Sequence, residues 1–395
     1  MLGRFDHSLE AMARAFDLQQ LRRRVVRNLL STKGRIDSVT GGLPKKGIHR
    51  IVVLRPNHRL GNTLLLTPLI SELEHLYPGA EVDILTAGGA ASEVFARHDS
   101  VRNLWILPNR LARHPLASWR TIHRMHRQHY DMAIDPCLGS QSGRVFLSIV
   151  KAKHKLGFEQ FGMDGGVTCH IPVPQNLSHM GQLPVYLLRR GCKEDYAARD
   201  CPRLDVRLSS EELRQGSERL RRLLQGLPGN EGPVIALFGE ATGSKAFPEG
   251  WWIEMIQRLQ HLRPDHRFIE IIPASGTSKF NNAYPVYYST SVRRMSAVMA
   301  ASSFVVSADC GVMHLAAASG VATAGIFRVT KPLQYGPYGG RNFFVSAEDK
   351  TPVTVAEDVD RRWAENDIVD VRAESWEGIG NLQPGGHAGE CGRAA

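Results

Sequence analysis

The sequence predicts an α/β protein of two doubly wound parallel-sheet domains facing each other across a cleft. Three observations predict it. Short apolar runs of strand length alternate with helical stretches along most of the 395 residues, the grammar of a parallel sheet with crossover helices. The alternation starts twice, at 49–54 (HRIVVL) and at 233–238 (PVIALF), with a Pro-rich polar stretch between. Polar turns follow several strands at their carboxyl ends, where ligands bind in such sheets. The length exceeds one ordinary core, and a hydrophobic content of 43% suffices to fill two.

Residues 1–46 precede the first strand. Leu9, Met12 and Phe16 form one helical stripe, and Leu18, Leu21, Val25 and Leu29 another. Arg14, Arg22, Arg23, Arg24 and Arg27 fill the other faces. Such a helix either lies on an acidic membrane surface or packs on the protein's own body with its arginines solvated. Residues 38–46 contain Gly41-Gly42-Leu43-Pro44 and read as a linker. The strand 49–54 leads to a polar turn, 55–62 (RPNHRLGN). Leu66, Leu69, Ile70, Leu73 and Leu76 then give a helix over 63–76, with Pro68 near its start. Strands at 81–86, 101–107 and 130–134 alternate with helices at 93–98, 119–129 and 144–150.

The stretch 171–205 is rich in Pro and polar residues, and the domain connection falls between about 171 and 233. A helix over 209–224 is capped by Ser209 or Ser210, with Glu211 and Glu212 in its first turn. The second unit has strands at 233–238 and 267–272, helices at 251–262 and 292–301, and a turn at 239–250 (GEATGSKAFPEG). A helix over 354–365 closes the chain, and from Glu374 the composition predicts a disordered tail. The expected organisation is an extension 1–46, an N-terminal domain 47–208, a C-terminal domain 209–350, a closing helix 351–373 and a tail 374–395.

The stretch 305–327 (VVSADCGVMHLAAASGVATAGIF) concentrates this pattern: buried strand, polar turn, short helix, strand. Such a helix points bare N–H groups toward the strand's carboxyl end, where Asp309 sits and Gly311 lets a ligand come close. The turn reads as an anion site with a carboxylate beside it. The charge agrees: 49 Lys+Arg against 39 Asp+Glu give +10, which favours anionic partners. No aromatic-and-basic interleaving or recognition motif supports nucleic acid, and no P-loop pattern is present. The six cysteines (Cys137, Cys169, Cys192, Cys201, Cys310, Cys391) form no C-x-x-C pair, which predicts a reducing compartment and no zinc site. No apolar run approaches the ~20 residues that span a bilayer, and the N-terminus is too charged for a secretory signal. A cytoplasmic protein is expected.

Three segments carry a resemblance to a known family: IVVLRPNHRLGNTLLLTPLISELEHLYPGAEVDIL, GSKAFPEGWWIEMIQRL and SADCGVMHLAAASGVATAGIF. A fourth, weaker, is YDMAIDPCLGSQSGRVFLSIVKAKHKLGF. The chain resembles the heptosyltransferase-type glycosyltransferases, bacterial enzymes of the lipopolysaccharide inner core, and the likeness spans about 51–338. It implies a GT-B fold of two Rossmann-like domains. It also implies an inverting, metal-independent transfer, without a cofactor, from a nucleotide-sugar to a lipid-linked or lipopolysaccharide-core acceptor. The donor, typically ADP-heptose, would sit on the C-terminal domain and the acceptor on the N-terminal one, at the cytoplasmic face of the inner membrane.

Carried residue by residue, the resemblance gives Lys245 the donor's diphosphate; the bland reading is a solvated lysine. Thr242 and Ser244 add hydroxyl donors or are ordinary turn residues. Gly311, Val312 and Met313 offer backbone amides at a helix start, Asp309 binds sugar hydroxyls or merely caps the helix, and His314 contacts ligand. Asn62 stands where the family carries an Asp, the proposed general base, and an amide takes up no proton at neutral pH. An active enzyme then needs another base or an attack with little base assistance. His58, with a suitable intrinsic pKa range, is that base or an exposed loop histidine; Asp135 is a weaker candidate for base or acceptor contact. Arg55 and Arg59 either bind acceptor phosphates or are solvated. Where many family members hold a nucleotide-binding Glu, this chain has 275–278 (SGTS), leaving Thr277 or Ser278 only a hydroxyl to offer. The alternative function is a non-catalytic sugar-nucleotide or glycan-binding protein.

Overall fold

The structure, a computed structural model, describes residues 42–109, 113–160, 166–226, 232–272 and 275–368. The basic helix expected in the extension and the expected tail lie outside the described residues. Two six-stranded sheets are present, and every strand pair in them is parallel. The first holds β1 (Arg50–Leu54), β2 (Glu81–Ala87), β3 (Val101–Leu107), β4 (Tyr130–Asp135), β5 (Ala152–Phe158) and β6 (Cys169–Ile171), in the order β3-β2-β1-β4-β5-β6. The second holds β7 (Val234–Phe238), β8 (Arg267–Ile272), β9 (Val286–Tyr288), β10 (Phe304–Ala308), β11 (Thr323–Phe327) and β12 (Phe343–Ser346), in the order β12-β11-β10-β7-β8-β9. The two orders are the same doubly wound plan. Each reverses direction once, between β1 and β4 and between β7 and β10, and the crevice at that reversal is where such sheets take ligands.

The crossover helices are α1 (Leu60–Leu64), α2 (Thr67–Leu76), α3 (Ala90–Val94), α4 (Pro115–His126), α5 (Gln141–Ile149), α6 (Leu183–Gly191), α7 (Ser210–Leu224), α8 (Glu249–Leu262), α9 (Val292–Ala300), α10 (Gly311–Ala318), α11 (Pro332–Tyr335) and α12 (Pro352–Ile368). Both faces of each sheet are covered, which is why the strands are apolar without alternation. Ile51 and Val53 face an inner core, and Val52 and Leu54 an outer one. In the second sheet Ala236 and Phe238 join that same inner core, while Ile235 and Leu237 face a separate outer cluster under α8 and α12. The inner layers of the two domains are therefore one continuous apolar body below the cleft.

Several expected elements are moved. The helix read over 63–76 is two. Pro68 cannot accept a helix running through Leu64, whose carbonyl its ring would strike; that carbonyl takes a bond from Thr67 Oγ1 at 2.8 Å instead, and the chain restarts as α2. α3 begins before the expected 93, just after Gly88 at φ +75°. α5 starts at Gln141 because Ser140 caps it, accepting from the Gly143 amide at 3.0 Å. Ser209, rather than Ser210, caps α7, in a reciprocal box with Glu212. The Pro-rich connection contains a helix, α6, tied to α2 by a buried bidentate pair: Arg189 Nε and Nη2 each lie 2.9 Å from a carboxylate oxygen of Glu72.

The domains are also joined by Arg293 of α9. Its guanidinium donates to the Glu93 carbonyl (3.0 Å), the Val206 carbonyl (2.9 Å), the Arg207 carbonyl (3.0 Å) and the Glu212 carboxylate (2.5 and 2.7 Å). Glu93 in turn accepts from Ser291 Oγ at 2.6 Å. One side chain thus binds the first domain, the connecting strand and the second domain.

Candidate active site

A cleft of about 610 Å³ lies where the two reversal points meet. From the first domain it is lined by Arg59, Leu60, Gly61, Asn62 and Leu65, the turn after β1 and the helix that follows. The second domain contributes the turn after β7 (Glu240, Thr242, Lys245), the turn after β10 (Asp309, Cys310, Gly311, Val312), His314 and Tyr335. The two corners touch through glycines. A Cβ on Gly311 would stand 2.9 Å from the Gly61 amide nitrogen, and one on Gly61 would stand 3.0 Å from His314 Cδ2. Only hydrogen fits at that contact, so both glycines are there for close approach.

Lys245 and Asp309 form an ion pair, Nζ to Oδ2 at 2.8 Å. Asp309 is almost buried and Lys245 about one-third exposed, so the carboxylate is fixed and the ammonium is the mobile partner. The Lys245 ammonium also lies 6.0 Å from the Tyr335 ring centre, at the edge of cation–π range. Beyond it a second pair closes the cleft wall: Lys279 Nζ to Glu240 Oε2 at 2.8 Å. Asp309 and Glu240 are the two carboxylates among the described residues that line the cleft. Glu240 and Tyr335 were not read from the sequence; for Glu240 the signal was present, a charged residue two positions after β7 at a reversal point.

His314 is buried, and burial, with the nearby His179 and Lys245 charges, pushes its pKa down to about 3. It faces the cleft as a neutral imidazole. Cys310 is the N-cap residue of α10 and makes no side-chain cap hydrogen bond there; burial raises its thiol's pKa.

Of the predicted residues, the structure gathers Asn62, Arg59, Lys245, Thr242, Asp309, Gly311, Val312 and His314 around one space. Others stand apart from it. Met313 is wholly buried, its sulfur against Gly325. Ser244 and Thr277 are exposed but do not line the cleft. Ser278 is spent on the scaffold, its Oγ donating to Glu270 at 2.5 Å.

His58 is exposed, does not line the cleft and packs against Gly88, which removes it from the place a base must occupy. Arg55 turns to Cys137 rather than into the cleft. Asp135 is fully buried beside Arg144, Oδ2 to Nε at 3.2 Å, and cannot touch an acceptor. Burial pushes its carboxyl up to about 7, against the pull of Arg144. No group of three His, Cys, Asp or Glu among the described residues could hold a metal ion. No helix among them is long and apolar enough to cross a membrane.

Two facing doubly wound parallel-sheet domains around a cleft make a GT-B fold. The model of glycosyltransferase family 9 (heptosyltransferase) matches residues 118–363, and the chain belongs to that family. The fold is shared with the glycosyltransferase family 9 structure from Veillonella parvula: TM-score 0.67, 15% identity, 82% of this chain and 98% of that one. It is shared with the E. coli heptosyltransferase WaaC with ADP: 0.60, 18%, 80% and 99%. The E. coli ADP-heptose heptosyltransferase II is similar at 0.58, 16%, 80% and 99%. No curated protein matches the chain.

Proposed function

We propose that this glycosyltransferase moves a sugar, with inversion and without a metal ion, from a nucleoside diphosphate to a hydroxyl of a lipopolysaccharide core or related lipid-linked glycan. Heptose from ADP-heptose is the donor we favour, since WaaC has been captured with ADP and with ADP-2-deoxy-2-fluoro heptose. The observation that carries the reading is the Lys245–Asp309 pair set beside the start of α10. A diphosphate entering there draws the Lys245 ammonium away from Asp309 and meets the positive end of the helix. Charge that builds on the departing diphosphate is then neutralised by groups already in place. Asp309, released from Lys245, accepts hydrogen bonds from the donor sugar's hydroxyls.

The acceptor hydroxyl approaches from the Gly61–Asn62 corner. Its oxygen bonds to the anomeric carbon as the bond from that carbon to the diphosphate oxygen breaks. Asn62 accepts a hydrogen bond from the hydroxyl and orients it without taking the proton, which passes to water late in the step. Thermal midpoints measured with ADP, UDP, GDP and CDP and their sugars test the donor site. ADP, or another of these nucleotides, raises the midpoint by mass action, and Lys245→Ala abolishes the rise. No rise with any of them overturns the assignment. Asn62→Asp raises ADP release in the presence of acceptor; no release from either form would make the protein a binding module.

A further inference from the structure

The chain from 108 to 129, PNRLARHPLASWRTIHRMHRQH, holds five arginines and no acidic residue. Most of it is α4, which packs inward through Ser118 and Met125, with Ile122 against the outer core of the first domain. On the opposite side Leu116, Trp119, Arg120, His123 and Arg127 recur at helical spacing and form one stripe. Leu116 is 72% exposed and Trp119 60%. The Trp119 indole stacks on the His123 ring, centres 5.0 Å apart, so it lies along the stripe. Arg120, Arg124 and Arg127 are exposed and have no ion-pair partner among the described residues. β3 ends at the carboxyl edge of its sheet and β4 starts at the other, so α4 runs away from the edge where the cleft opens. Its first turns, carrying Leu116 and Trp119, stand nearest that rim.

We infer that this stripe seats on an anionic phospholipid surface. Leu116 and Trp119 enter at headgroup level, where an indole's apolar body and polar N–H are both satisfied. Arg120, Arg124 and Arg127 meet the lipid phosphates, each adding attraction. The charge argues against a second copy, since two such stripes would set arginines against arginines. The exposed leucine argues against nucleic acid, whose phosphates give it nothing. The inference deepens the proposed lipid-linked acceptor but does not depend on the donor site. It assigns the membrane contact to a helix of the folded domain, separately from the basic extension.

Flotation of the full-length protein with vesicles tests it, using phosphatidylcholine alone and phosphatidylcholine mixed with phosphatidylglycerol. The wild type binds the mixed vesicles only, and brominated lipid quenches fluorescence that Trp119→Phe removes. The pair Leu116→Ser with Trp119→Ser weakens binding by about tenfold or more, as does Arg120→Glu with Arg124→Glu and Arg127→Glu. An unchanged nucleotide thermal shift in these variants shows that they are folded with an intact donor site. Variants that bind mixed vesicles like wild type overturn the inference. So does a wild type that ignores them, a loss confined to binding a short RNA duplex, or a loss confined to a dimer seen by light scattering.

Discussion

Asp135 and Asp309 occupy the same place in two copies of one plan. Asp135 ends, and Asp309 directly follows, the strand just past its sheet's reversal point, and each is paired with a cation. Asp135 and Arg144 are both wholly buried, whereas Asp309 faces the cleft and Lys245 is one-third exposed. A guanidinium locked in the core stays where it is, and the pair serves the fold. An ammonium on a flexible stem at a cleft can change partners, which is what the proposed donor site asks of it. One topology thus yields a sealed brace in the first domain and a cleft-facing pair in the second, according to the cation and its access to water.

The sharpest test breaks each pair. Arg144→Met strands a buried carboxylate and lowers stability by about 3–5 kcal/mol, whereas Lys245→Met costs about 1 kcal/mol or less. Denaturant midpoints of the two variants give the comparison directly, and equal losses would erase it.

Acid probes the ground between the two domains. His314 titrates near 3 in the fold and His98, buried beside the linker, near 4; burial lowers both from the ordinary ~6.5. Their folded pKa values are depressed, so the stability they carry is complete above about pH 6.5 and lost as pH falls toward 4 and 3. The slope is about 1.4 kcal/mol per pH unit for each group. Thermal midpoints from pH 7 to 4.5 should fall, and His314→Gln should flatten part of the fall.

The smallest effect tests the contact of the two corners. Gly311→Ala sets a methyl against the Gly61 amide and costs about 1–3 kcal/mol through forced separation. Its nucleotide affinity should suffer less than its turnover, because the proposed donor site puts the diphosphate on the second domain. Steady-state kinetics beside nucleotide titrations would show the split, and an equal loss in both would argue against it.

Much of this was legible in the chain because strands buried on both faces leave unbroken apolar runs. The runs at 49–54 and 233–238 each announced a first strand, and the turns after them announced the site. What escaped was short or charged. β5 carries Lys153, His154 and Lys155, and β6 and β9 have three residues each, too few for a period. α6 hid inside a Pro-rich stretch because Pro184 sits at its start, where proline is tolerated. At the site, Asp309 and Gly311 could be placed from a strand end, and Lys245 from the family resemblance. The burial of Asp135 could not, because its partner Arg144 is brought to it by the fold. His58 looked suitable from spacing alone, yet the turn points it toward Gly88.

Arg293 sets a rule for how the molecule opens. Its bonds to the Glu93, Val206 and Arg207 carbonyls and to Glu212 fasten both lobes to the strap between them. The lobes cannot slide or separate there without stripping one guanidinium of most of its acceptors. A cleft opening that keeps those bonds is a jaw-like swing pivoting on that residue, with the Gly61–Gly311 contact as the teeth that part first.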